Sequence, residues 1–177
     1  MTADVVAAAV IERAARLGVR IAAAESLTGG LVADALVSVP GASRVFSGGV
    51  VAYDTALKHS VLGVDAELLQ AKGPVDAQVA EQMAAGVRAV CAVPRGDRDP
   101  APAEIGIATT GVAGPDPDPQ TGQPAGTVWI AASWPGGSRS ERLALVGDRA
   151  AIREGTVAAL LALLSEVLDV MERGGPV

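Results

Sequence analysis

Apolar residues recur along the chain at two spacings, and the changes between them mark out its elements. Val6, Val10, Ala14 and Leu17 recur at helical spacing, with Thr2 placed to cap that helix and Gly18 to end it. Residues 19–24 form a short, mostly apolar run that predicts a buried strand. Leu31-Val-Ala-Asp-Ala-Leu-Val has the length and composition of a helix, ending at Val39-Pro40-Gly41. Between them lies Glu25-Ser26-Leu-Thr28-Gly29-Gly30, a polar turn from strand to helix. Residues 47–53 predict a second strand, weakened at its start by glycine. Asp54 or Thr55 then caps a short helix carrying Lys58 and His59, and Asp65 caps another that breaks at Gly73-Pro74. Asp76 precedes a longer helix on which Val79, Met83, Val87 and Val90 line one face, with Cys91 beside them.

Residues 94–103 form a polar surface loop. A strand over 105–109 runs into Thr110-Gly111-Val-Ala-Gly114, and the following segment to Ala125 is too rich in proline for regular structure. Residues 127–133 and 139–146 read as paired strands joined by Pro135-Gly136-Gly137. Gly147-Asp148 leads into a final amphipathic helix on which Leu160, Leu164, Val167 and Met171 repeat. Helices alternate with strands early and a hairpin comes late, with no internal repeat and no long linker. The expectation is an α/β fold, a mixed sheet with helices on both faces, built as one domain over residues 1–177.

Composition narrows the function classes. Of 177 residues, 50% are hydrophobic but only 2% aromatic, so the core is built from Ala, Val, Leu and Ile, which suits close helix-on-sheet packing. A formal charge of −6 argues against a nucleic-acid surface. No run of 18 apolar residues is present, so no membrane span is expected, and Met1-Thr-Ala-Asp4 lacks the positive flank of a signal peptide. Cys91 is the single cysteine, which excludes an internal disulfide and fits a reducing compartment. A cytoplasmic location is expected.

Two strand-to-loop junctions carry the candidate chemistry: Ser26-Leu-Thr28-Gly29-Gly30 and Thr109-Thr110-Gly111-Val-Ala-Gly114. Ligands of open α/β sheets collect beyond the carboxyl ends of strands, where both junctions fall if their strands are parallel neighbours. The helix start at Thr28-Gly29-Gly30 can offer N–H donors to an anion or an oxyanion. The alternative for this turn is purely structural, with Ser26 or Thr28 capping the helix. His59 is the single histidine, so a Ser-His-Asp triad would have to run through it, and no zinc site of several His or Cys ligands can be assembled. Tyr53 and Lys58 fall within about a helical turn of one another, the first being the single tyrosine and the second one of two lysines. His59 points about 100° away from Lys58 on a helix and is expected at the surface. Cys91 is expected to be a small core residue, and Glu25 to face away from Ser26, anchoring a loop or orienting Lys58.

These motifs together resemble the C-terminal domain of the CinA competence/damage-inducible proteins, which also occurs alone as a nicotinamide-nucleotide amidase. The resemblance rests on Ala24-Glu-Ser-Leu-Thr-Gly-Gly30, Pro40-Gly-Ala-Ser43, Tyr53 with Lys58, Leu62-Gly63-Val64, Thr110-Gly-Val-Ala-Gly-Pro115 and Gly126-Thr-Val-Trp129. It extends to Gly147-Asp148-Arg149 and Arg153. It implies a three-layer α/β/α sandwich and an amidase that needs no metal or cofactor. Such an enzyme converts nicotinamide mononucleotide to nicotinic acid mononucleotide and ammonia. It implies Ser26 as nucleophile with Lys58 and Tyr53 as partners; the two glycine loops, with Thr28, Gly29, Gly30, Thr109, Thr110, Gly111 and Gly114, are the expected substrate site, one for the phosphate and one for the carbonyl. A small pyridine nucleotide is then the partner, and a homo-oligomer, most simply a dimer, the expected assembly. A non-catalytic nucleotide-binding or regulatory protein is the competing expectation. Many relatives have a glycine-rich loop after Gly114, where this chain has Pro115-Asp-Pro-Asp-Pro119.

Overall fold

Strands β1 (Ile21–Glu25), β2 (Phe46–Val51) and β3 (Ile105–Gly111) run parallel, and β4 (Thr127–Trp134) and β5 (Gly137–Ala144) continue the sheet antiparallel in the order β2-β1-β3-β4-β5. These elements come from a computed structural model describing residues 2–96 and 98–173; the expectations touching Met1 and Asp97 lie outside the described residues. The helices are α1 (Ala3–Leu17), α2 (Leu31–Val37), α3 (Thr55–Ser60), α4 (Ala66–Lys72), α5 (Ala77–Val90) and α6 (Arg149–Glu172), with a 3₁₀ turn at Ala42–Arg44.

The two faces of the sheet carry separate cores. On one, α1, α2 and α6 pack Val10, Ile11, Leu36, Leu160 and Leu164 against Ile21, Ile107 and Ile130. On the other, Val79, Met83 and Val87 of α5 meet Ala22, Ala24, Ala108 and Ala131. Small residues on this face let α5 lie close to the sheet, as the aliphatic composition predicts. The result is a three-layer α/β/α fold with a mixed sheet. No helix among the described residues is long and apolar enough to cross a membrane.

Several local expectations shift. Thr2 occupies the N-cap position of α1 without a side-chain capping bond, whereas Asp54, Asp65 and Asp76 each cap through their carboxylates. Strand β2 ends at Val51, so Tyr53 lies in the connection to α3 rather than on the strand. The hairpin turn is shorter than expected, because Gly137 already pairs with Trp134. Val90 is exposed rather than in the α5 face. On α6 the buried set is wider than a stripe and includes Ile152, Val157, Leu161, Leu163 and Leu168, because the helix is covered by the sheet on one side and by α1 and α2 on the other.

Connectivity places the candidate chemistry. The chain leaves β1 through α2 to β2 on one side, then returns through α3–α5 to β3 on the other. The carboxyl ends of β1 and β3 therefore border the crevice where strand order reverses, the usual ligand position in such sheets. One glycine sets the position of α3 above this crevice. A β-carbon at Gly86 on α5 would collide with the Leu62 carbonyl just after α3. Its absence lets α3, and with it Lys58, sit down onto α5.

Candidate active site

Ser26 is the first residue beyond β1. Its N–H donates to the Thr109 carbonyl at 3.0 Å, and the Ala52 N–H donates to the Glu25 carbonyl at 2.8 Å. The parallel ladder thus continues on both sides and fixes the backbone at the strand's end. The Ser26 hydroxyl accepts a hydrogen bond from Lys58 Nζ at 2.9 Å, and the same nitrogen donates to the Ala52 carbonyl at 2.8 Å. Lys58 is only 1% exposed and has no carboxylate within salt-bridge distance among the described residues. Burial lowers its pKa from 10.5 to about 8, against a weaker opposing pull from Asp54.

This pair opens into a cavity of about 410 Å³. Its walls include Leu27, Tyr53, Pro74, Val75, Thr110 to Gly114, Asp116 and Arg149. Of the residues expected at the site, Ser26, Tyr53, Lys58, Thr110, Gly111 and Gly114 border the cavity. Thr28, Gly29, Gly30 and Thr109 do not.

The expectation that the start of α2 faces a ligand is corrected by Glu25. Its side chain points away from Ser26, as strand alternation predicts, and its buried carboxylate accepts from the N–H groups of Gly30, Val32 and Ala33 at 2.9, 3.0 and 2.9 Å. The Gly29 N–H goes to the Ser26 carbonyl and the Leu31 N–H to the Thr28 carbonyl. The helix dipole is therefore answered by the protein's own charge. Neither Ser26 nor Thr28 caps α2; Gly30 holds the N-cap position at φ +103°, a conformation that favours glycine. The Thr28 hydroxyl instead pairs with that of Thr109 at 2.8 Å in the buried interior, tying the β1–α2 turn to the end of β3. The Thr110 hydroxyl donates to the Pro74 carbonyl at 2.6 Å, which joins the β3 loop to the α4–α5 connection along the cavity wall.

Tyr53 departs from the expected trio. It is 58% exposed, and its hydroxyl bonds the Arg149 guanidinium at 2.6 Å rather than Ser26 or Lys58. Arg149 also donates to the Gly114 carbonyl at 2.8 Å, so it ties the rim at Tyr53 to the glycine loop. Arg153, one turn further along α6, donates from Nε to the Leu27 carbonyl at 3.0 Å and from a terminal nitrogen to the Thr28 carbonyl at 2.7 Å. Sequence reasoning did not assign these arginines to the site. A signal was present: two cations in the first turns of one helix oppose the dipole preference for acidic residues there.

The remaining reactive groups lie elsewhere. His59 is exposed, with Nδ1 2.7 Å from the Val64 carbonyl. Cys91 is half-buried against the α5 core, and burial pushes its thiol pKa up, which lowers its reactivity. No group of three His, Cys, Asp or Glu side chains among the described residues is placed to hold a metal ion.

Comparison with known proteins agrees with this architecture. The family model of the CinA C-terminal domain matches residues 3–168. A CinA-like protein of Frankia casuarinae is 44% identical over 164 residues, covering 93% of this chain and 34% of that protein. The chain spans about a third of the length of the curated relatives it matches. Among solved structures, a CinA superfamily protein from Enterobacter cloacae superposes with a TM-score of 0.86 at 29% identity, covering 95% of this chain and 93% of that one. The competence damage-inducible protein A of Klebsiella pneumoniae gives 0.85 at 32% identity, covering 96% and 98%. With its fold, its motifs and nearly its whole length accounted for, the chain belongs to the CinA C-terminal domain family.

Proposed function

We propose that this chain is an amidohydrolase that converts nicotinamide mononucleotide to nicotinic acid mononucleotide and ammonia, with Ser26 as nucleophile and Lys58 as its general base. The observation that supports it most is the 2.9 Å contact between Lys58 Nζ and the Ser26 hydroxyl inside a cavity. A lysine acts as a base only when neutral. At pH 7 a group with a pKa of about 8 is roughly a tenth neutral, some 300-fold more than an ordinary lysine.

In the acylation step Ser26 Oγ attacks the carboxamide carbon while its proton passes to Lys58 Nζ. The C=O π electrons move onto oxygen, and their return expels the amine, which leaves as ammonia after taking the proton from Lys58. Water then attacks the acyl ester with Lys58 again as base, releasing the carboxylate and restoring Ser26. In this reading the Arg149 guanidinium, which borders the cavity, receives the phosphate, and the Tyr53 ring, also at its border, stacks on the cationic pyridinium. At about 410 Å³ the cavity falls within the range of small-molecule sites.

The names of relatives that refer to competence and damage motivate the alternative of a non-catalytic binding or regulatory protein. An ammonia-release assay over a panel of pyridine nucleotides separates the two. Turnover of nicotinamide mononucleotide, rising with pH through an apparent pKa near 8, is expected. Binding of the panel without ammonia release from any member would sink the amidase.

A further inference from the structure

We propose that the main-chain N–H group of Leu27 donates to the oxyanion of the Ser26 adduct, and that Arg153 is the positioning residue that holds the turn carrying it. The inference rests on Ser26 acting as an acyl-transfer nucleophile. It begins from the donors already committed elsewhere. Around the turn, the N–H groups of Ser26, Gly29, Gly30, Leu31, Val32 and Ala33 all have protein acceptors. Leu27 and Thr28 are the residues of this turn whose N–H groups find none among the described residues.

Of the two, only Leu27 borders the cavity, and its placement suits the task. Leu27 lies there beside Ser26, is only 4% exposed and packs in the core cluster that includes α6. It directly follows the nucleophile, the position that supplies an oxyanion donor in the nucleophile elbow of α/β-hydrolases, where a serine likewise sits on a sharp turn from strand to helix. Arg153 Nε donates to the Leu27 carbonyl at 3.0 Å, which holds the peptide plane that follows Leu27. The second bond, from Arg153 to the Thr28 carbonyl at 2.7 Å, fixes the next peptide plane as well. Two consecutive planes are thus set by one guanidinium, whose planar fork suits a pair of carbonyls better than an ammonium does.

When Ser26 Oγ bonds to the carbonyl carbon and the π electrons move to oxygen, the negative charge develops within reach of the Leu27 N–H. The Ser26 proton is then on Lys58. Removing one such donor typically lowers turnover about 10²–10³-fold, and a misplacement of about 1 Å can lower it by ~10².

The test is Arg153→Met, with Arg153→Lys as a milder variant, each checked for a native thermal transition. Three quantities are compared with the parent chain: kcat and KM for nicotinamide mononucleotide, restoration of turnover by added guanidinium at sub-denaturing concentration, and the rate at which phenylmethanesulfonyl fluoride labels Ser26. In that labelling the Oγ–S bond forms, the S–F bond breaks, fluoride leaves and the serine proton passes to Lys58. It needs the nucleophile and an oxyanion site but no pyridine substrate. Expected for Arg153→Met are a fall in kcat of about 10²-fold with KM within about twofold, partial recovery with guanidinium, and a parallel fall in labelling. Folded variants that turn over and label like the parent chain would overturn the role of Arg153 while leaving the amidase intact. Labelling that depends on Arg153 in a chain that hydrolyses no pyridine nucleotide would overturn the substrate and keep the oxyanion site. A Ser26 that neither turns over nor labels overturns both.

Discussion

Replacing Lys58 by methionine should abolish turnover and yet make the protein more stable at neutral pH. Burial lowers the lysine from its ordinary 10.5 to about 8, which corresponds to about 3 kcal/mol by which folding disfavours the charged form. Below pH 8 both the native and the unfolded chain hold the proton, so the native state bears the whole penalty. Between 8 and 10.5 the native lysine is neutral while the unfolded one stays charged, and stability rises with pH. Above 10.5 both are neutral and the penalty is gone. Methionine removes the penalty but also the bonds to Ser26 Oγ and to the Ala52 carbonyl, and leaving that carbonyl unpaired costs about 1–2 kcal/mol. Lys58→Met should therefore stabilise by about 1–2 kcal/mol at pH 7 and lose that advantage near pH 10, a swing of about 2.5 kcal/mol. Urea unfolding of both chains at the two pH values measures it, since other titrating groups cancel in the difference. A stability difference that is the same at pH 7 and pH 10 would refute an intrinsically lowered Lys58.

Two further substitutions separate the site from its supports. Glu25→Ala strips three N–H groups of their acceptor and should destabilise by about 3–5 kcal/mol in urea unfolding, with Glu25→Gln less than half as severe; a loss within about 1 kcal/mol for the alanine variant would mean that water replaces the carboxylate. Tyr53→Phe should leave kcat nearly unchanged, because the hydroxyl is spent on Arg149, whereas Tyr53→Ala should raise KM about two- to fivefold through loss of the ring. A collapse of kcat in Tyr53→Phe would instead make the phenol a proton relay.

The parts of the site that were legible in the sequence depend on scarcity and on strand ends. With one histidine, one tyrosine and two lysines, few partners exist for Ser26. The two glycine junctions had to meet once their strands proved to be neighbours, and Glu25↔Thr109 is indeed the last pair of the β1–β3 ladder. Tyr53 and Lys58 both border the cavity, but β2 stops two residues before Tyr53 and Asp54 caps a new helix, so the spacing alone did not tell that the Tyr53 hydroxyl bonds Arg149 while Lys58 meets Ser26. The role of Glu25 could be half read, since alternation turned it away from Ser26, but only the packing of α2 supplied the three donors it meets. Arg149, Arg153, Pro74 and Asp116 reach the site or its turn from distant loops and from the start of α6, and local pattern does not encode such long-range neighbours.

The structure also suggests a reason for this distribution of charge. The turn that carries Ser26 is gripped from both sides by ionised groups that border no substrate. Glu25 takes the N–H groups of Gly30, Val32 and Ala33, and Arg153 takes the carbonyls of Leu27 and Thr28. Five main-chain groups are thereby fixed before any charge develops in the cavity. An oxyanion is stabilised most by dipoles that need not reorient when it forms. A glycine-containing turn left to water would have to be ordered in each turnover, and that ordering would appear in the barrier. Holding the turn with charges placed outside the cavity leaves Lys58 as the buried cation of the cavity wall, and on the proposed mechanism its desolvation is what fits it to act as base. On the proposed mechanism Ser26 and Lys58 are then not sufficient by themselves: a chain could keep both residues, lose Glu25 or Arg153, and retain its cavity with a nucleophile that attacks but an oxyanion that is poorly received.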